Sequence, residues 1–302
     1  MLRGIAVFAM QGRWQSAVAT ALLSIAAFML PPLSYLSSGV IVLSTLRIGP
    51  REGAKVLAIA FAIFALLAGL VLGRLWLAGL MLLSGWLPVY LATLILGYSR
   101  SLAAALFFSA GLGLLTVAAM HLFLPDPTQW WHQVMAPMFE SLSQSSSWQL
   151  DKEQTQHLAI GTASIMTGLV AAGFTINVML GLLLGRAWQA SLYNQGAFAE
   201  EFCQLKLGKK AALLVVALMA ITLSPLRHNM AWLVDCLPVL LSLFALQGLA
   251  VLHSVIRTKQ KSKLWLVAVY VLLFVMMPQM MVLLATVGVV EQWFNFRKYP
   301  NG

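Results

Sequence analysis

Nine apolar runs, separated by short basic clusters or glycine–proline breaks, set the rhythm of this chain: 14–30, 33–46, 54–73, 75–96, 102–124, 158–184, 211–226, 230–256 and 264–290. At about 1.5 Å of rise per residue, most of these runs reach across a hydrocarbon layer of about 30 Å as helices. Run 33–46 spans only about 21 Å and needs neighbouring helices to shield it. None of the runs shows the ten-residue alternation of a membrane barrel. A lipid-embedded backbone must satisfy its own polar groups, so the expected fold class is all-α: a polytopic helical membrane protein of about nine transmembrane helices.

The stretch 28–54 carries the sharpest punctuation. Pro31-Pro32 cannot continue a helix, because each ring fixes φ and removes a donor. Gly49-Pro50 reads as a stop and a restart, with glycine suited to the cap of the outgoing helix and proline to the first turn of the next. Gly49, Pro50 and Gly53 are therefore expected to form a structural turn. Pro88, with Trp86 beside it, predicts a kink within 75–96.

Two interruptions are long enough for structure of their own. In 125–157, Asp126-Pro127 is a helix-start signal. Trp130, Trp131, Val134, Met135, Met138 and Phe139 then recur at three-and-four spacing, as in an amphipathic helix lying over a cavity or in the headgroup layer. In 185–210, Phe198, Phe202 and Leu205 lead to Lys206, Lys209 and Lys210, which predicts an interfacial amphipathic segment.

Composition settles the class. Of 302 residues, 61% are hydrophobic and 9% charged, against roughly 25% charged in soluble domains. The net charge of +10 is spread in small clusters between runs, a pattern of topology determinants rather than a nucleic-acid surface. With an uncleaved first span and the N-terminus inside, fourteen basic residues fall on the cytoplasmic side and only Arg74, Lys152 and Arg227 outside. This orientation predicts a multi-pass protein of the bacterial inner (cytoplasmic) membrane, with 125–157 outside. The turn from Arg257 to Lys263 suits anionic lipid of the inner leaflet. Nine crossings would leave Arg297 and Lys298 outside, against the same rule; a last segment broken at Pro278 that re-enters the cytoplasm is the alternative. Cys203 and Cys236 are placed too far apart to bridge. No catalytic or metal-ligand motif occurs, so neither an enzyme nor a cofactor or metal site is expected.

Polar groups inside the apolar runs carry the functional signal, since a buried Asp or Arg costs about 2.5–3.5 kcal/mol there. Asp235 reads either as a counter-ion, proton or ligand group or as half of a structural pair with Arg227 or Arg74. Arg74 reads either as an anion ligand or as a snorkelling side chain. Tyr35, Ser38, Arg74, Trp76, His121 and Asp235 fall at one depth and form the expected ligand pocket, open to the outer face beneath Trp130-Trp131. Gln247, a mid-run amide, is expected to glue helices. Ala17 and Ala21, four apart, either dock another subunit or pack internally.

The turn Gly49-Pro50-Arg51-Glu52-Gly53 is similar to the G-P-x-x-G turn of the substrate-binding S components of energy-coupling factor transporters, and Ala17-x-x-x-Ala21 resembles their docking face. Over its full length the chain resembles the YybS-like family of bacterial polytopic membrane proteins. The residues that carry this likeness are 46–53, 185–194 with Glu201, Phe202 and Leu205, and 293–297. The resemblance implies an S-component-like six-helix unit over 1–185, a cytoplasmic interfacial segment over 186–210, and three further membrane helices with an amphipathic tail over 211–302. It implies binding or transport of a small solute. The alternative is a non-transporting envelope scaffold of the MreD type, with a membrane or cytoplasmic partner held by the Ala17/Ala21 face or by 186–210.

Overall fold

The computed structural model describes residues 2–143, 152–228, 230–262 and 264–297, except the side chains of Leu2, Leu72, Leu142, Ser143, Lys152, Glu153, Arg227 and His228. The described residues are helical and contain no strand. In chain order the helices are α1 (Leu2–Ala9), α2 (Arg13–Ala26), α3 (Leu33–Ile48), α4 (Pro50–Leu72), α5 (Trp76–Met81), α6 (Leu87–Ser99), α7 (Leu102–Phe123), α8 (Pro127–Ser143), α9 (Lys152–Tyr193), α10 (Ala197–Cys203), α11 (Lys209–Leu223), α12 (Ala231–Thr258), α13 (Leu264–Val275) and α14 (Met277–Phe294). Five segments are long and apolar enough to cross a membrane: Pro50–Val71, Trp76–Ser99, Leu102–Phe123, Gln154–Tyr193 and Ala231–Thr258.

At the centre lies α3, with residues 37–45 all buried. Its short length is compensated as the shielding argument requires: α2 and α4 cover one side and α9 the other. Serines tie the antiparallel α2–α3 pair together. Ser44 Oγ donates to Ser16 Oγ at 3.0 Å, Ser24 and Ser37 hydroxyls lie 2.7 Å apart, and Trp86 Nε1 donates to Ser37 Oγ at 3.0 Å. Ala17 and Ala21, expected as a docking face or an internal seam, are fully buried in a cluster with Val56, Ala60 and Phe64 of α4. Within this chain, α4 occupies that face.

The Gly49 turn has a local physical cause. Gly49 sits at φ 114, where a side chain is strained, and Pro50 opens α4. Gly53 faces Thr45 so closely that a methyl group there would collide with its side chain. Tyr90 on α6 donates its hydroxyl to the Pro50 carbonyl at 2.9 Å. The kink expected at Pro88 takes the form of a π-helical turn, Leu82–Trp86, just before that proline; widening the helix there accommodates the missing donor.

Three expectations are revised. First, 158–184 is part of a single helix of 42 residues, α9, about 63 Å long. The boundary expected at 185/186 falls inside it, and within 186–210 the residues after Tyr193 form α10 and its flanks. Second, the first apolar run is a helix of only 14 residues, α2, preceded by α1. Third, the last run breaks at Met276 into α13 and α14, joined by a sharp reversal.

The reversal sets the direction of α14. The Cβ positions of Gly248 and Gly288 each abut a carbonyl of the other helix, at Leu284 and Phe244 respectively. Residues 244, 248, 284 and 288 therefore meet at one close crossing. Its direction is parallel, because Gly288 bonds Gln247 while Arg297, further along, reaches Cys203 next to Phe202, whose ring packs on His253 nearer the C-terminus of α12. Parallel contact returns the tail to the end of the bundle that holds α10. There Arg297 donates to the carbonyls of Cys203 at 2.6 Å and Leu205 at 2.8 Å. Its Nε lies 3.3 Å from the carboxylate of Glu291, which is 2% exposed. The last apolar run is thus two short helices of 12 and 18 residues rather than one continuous span.

Candidate functional site

Of the six residues expected to form a pocket, two meet. His121 Nε2 lies 2.7 Å from Asp235 Oδ2, joining the last turn of α7 to the second turn of α12. Leu102–Phe123 places its only titratable side chain at its end, where helix C-termini favour a cation. Asp235 is 7% exposed. Its partner is His121 and not Arg74; the side chain of Arg227 lies outside the described residues. An ionised Asp235 carboxylate can only accept, so in that state His121 Nε2–H is the donor.

Two more elements close around this pair. The backbone of Asp235 rests on α9, where a methyl at Gly168 would come within 2.9 Å of the Asp235 carbonyl. One residue earlier, Thr167 Oγ1 accepts a hydrogen bond of 3.0 Å from Trp131 Nε1 of α8. The amphipathic helix α8 starts as its sequence predicts, with Asp126 Oδ1 accepting from the Gln129 amide at 3.0 Å. It lies along α9, against the turn of α9 that abuts Asp235. Four helices therefore converge on one buried polar centre.

The other four residues are elsewhere. Arg74 follows the left-handed Gly73 at the end of α4, and it and Trp76 are exposed; Trp76 is 61% accessible. They adjoin the α2–α4 cluster, whereas α7 and α12 belong to another. Ser38 is buried against Gly181, about 20 Å along α9 from Gly168, and its hydroxyl has no partner among the described residues. Tyr35 is half-buried in the first turn of α3. The six do not line one pocket.

Sequence reasoning missed the Glu291–Arg297 pair. Both lie at or past the end of the last apolar run, and nothing in their spacing reveals a helix that turns back. The described residues contain no cluster of His, Cys, Asp or Glu able to hold a metal ion.

No protein-family model, curated protein or solved structure matches this chain. The likeness to S components and to the YybS-like family therefore rests on the residues that suggested it.

Proposed function

We propose that this chain is an integral membrane protein, of the bacterial inner membrane with its N-terminus inside, that binds or moves a small solute past the His121–Asp235 pair beneath α8. The observation that carries the reading is that pair: a carboxylate and an imidazole bonded at 2.7 Å between two helices long and apolar enough to cross a membrane. Ionisable groups in such a layer are costly and concentrate on solute and proton paths. The covering helix α8, hydrogen-bonded through Trp131, supplies an element that can shield the pair from water, and the S-component likeness points the same way.

Cysteine accessibility tests it. With Cys203 and Cys236 replaced by serine, Asp235→Cys and, separately, His121→Cys are exposed to a charged, membrane-impermeant thiol reagent from each side of sealed vesicles. A solute path predicts modification of at least one of them from one side. Folded variants that remain inert from both sides would sink the transport reading.

One observation favours the scaffold alternative: the Gly49 turn, α10 and the tail gather at one end of the bundle, the tail fixed by Arg297 to Cys203 and Leu205. A photo-crosslinker at exposed Gln204 that captures one protein reproducibly in living cells, together with His121→Cys and Asp235→Cys variants that both stay inert, would select it.

A further inference from the structure

The end of the bundle opposite the His121–Asp235 pair holds an open polar cavity of about 380 Å³. It lies where α3, α6 and α9 finish and α10 begins, roughly 27 Å along α9 from Gly168. Arg47, Arg100 and Arg186 line it, with Glu201 as the single carboxylate and Tyr193 and Asn194 alongside. From this arrangement the geometry points to a binding site for a phosphate-bearing ligand. The inference is independent of the solute reading above.

Charge comes first. Three guanidinium groups face one carboxylate. The C-termini of α3, α6 and α9 add about half a negative charge each, which still leaves a small positive excess. An anion is thus the complementary occupant. Guanidinium groups present planar forks that match phosphate oxygens in pairs, which ammonium groups cannot do.

Two of the arginines are already positioned. Arg186 donates from Nε to Glu201 Oε2 and from Nη1 to Gln189 Oε1, both at 2.9 Å, which uses two of its five donors. Arg47 stacks over the Tyr193 ring at 4.1 Å. Both are thereby oriented before any ligand arrives, which lowers the entropic cost of binding.

Arg100 is the informative residue. It caps α6 at φ 51, in the left-handed region, where glycine is the favoured occupant. The exposed guanidinium makes no ion pair among the described residues. A strained backbone position filled by an unpaired cation at the rim of a basic cavity has no packing reason, whereas an anion in the cavity supplies one. The cavity exceeds a lone phosphate ion and lies within the range of small-molecule pockets, about 300–1,000 Å³. A phosphomonoester from solution and a phospholipid headgroup share the chemistry that fits.

The test uses Arg100→Gly, which suits the left-handed cap and removes only the cation, so its unfolding temperature should equal or exceed that of the wild type. The purified full chain is titrated with glycerol 3-phosphate, with glycerol as control, following thermal stabilisation. In parallel, detergent-solubilised protein loaded with phosphatidylglycerol or phosphatidylcholine is examined by native mass spectrometry for retained lipid. Saturable stabilisation by glycerol 3-phosphate, weakened about tenfold or more in Arg100→Gly and further in Arg47→Gln/Arg100→Gly, identifies a soluble phosphomonoester. Selective retention of phosphatidylglycerol, lost in the same variants, identifies a headgroup. If neither probe binds, or if both variants bind as the wild type does, the site is overturned.

Discussion

Gln247 of α12 and Gly288 of α14 are joined by a hydrogen bond of 2.8 Å from Gln247 Nε2 to the Gly288 carbonyl. The same side chain accepts from the Leu207 amide at 2.8 Å, so one buried amide ties two helices to the segment entering α11. Gln247→Leu strands a backbone donor and a backbone acceptor in an apolar interior. It should lower unfolding stability by about 1–3 kcal/mol, measured in detergent by thermal or denaturant unfolding. An unchanged transition would mean that these bonds contribute nothing net.

The crossing beside that amide depends on small residues. Gly248→Val or Gly288→Val drives a side chain into the Leu284 or Phe244 carbonyl. Overpacking of this kind costs about 1–3 kcal/mol. Protease susceptibility should rise at residues 295–297, which α14 delivers to α10. Both effects should exceed those of Gly4→Val, where the added group meets nothing within 4 Å.

Parallel packing of α12 and α14 makes a topological prediction. Reporter tags placed after Gly302 and within residues 259–262 should report the same side of the membrane. A tag on α8 at exposed Ser141 should report the other. A C-terminus on the side of Ser141 would establish a ninth crossing and refute the parallel arrangement.

Arg297 lies against the buried carboxylate of Glu291, whose other oxygen accepts from the Phe296 amide at 2.6 Å. Burial pushes the Arg297 guanidinium below its usual value and Glu291 acts in the opposite direction; the surrounding carbonyls of Cys203 and Leu205 complete its bonds. Arg297→Ala leaves Glu291 buried without its counter-charge, at a cost of about 3–5 kcal/mol. Adding Glu291→Gln should restore part of the loss, because the buried charge is gone. A double variant no better than the single one would show that the Cys203 and Leu205 contacts carry the effect.

For His121 and Asp235, a double-mutant cycle with His121→Ala and Asp235→Ala isolates the pairwise term. Residues in direct contact of this kind couple by about 0.5–3 kcal/mol. The unfolding measurement should place the pair inside that range. Additive losses would mean that the two residues act separately despite their 2.7 Å separation.

Much of the architecture was legible from local signals. Pro50–Leu72 and Leu102–Phe123 follow the apolar runs closely. The Asp126 cap and the Gly49-Pro50 break depend on backbone rules that act within a few residues. His121 and Asp235 were both visible as titratable groups inside apolar runs. That they bond to each other was not, because they are 114 positions apart.

Hydropathy determined that this chain is helical and rich in segments able to cross a membrane, because apolar content and chain length act residue by residue. It could not decide which helices touch, since every lipid-compatible surface looks alike to a hydropathy pattern. The parallel return of α14, the burial of Ala17 and Ala21 by α4, and the gathering of Arg47, Arg100 and Arg186 at one end were decided by tertiary packing. The physical reason is close approach: a missing Cβ or a shared hydrogen bond selects a partner helix, and neither has any meaning until two distant segments meet.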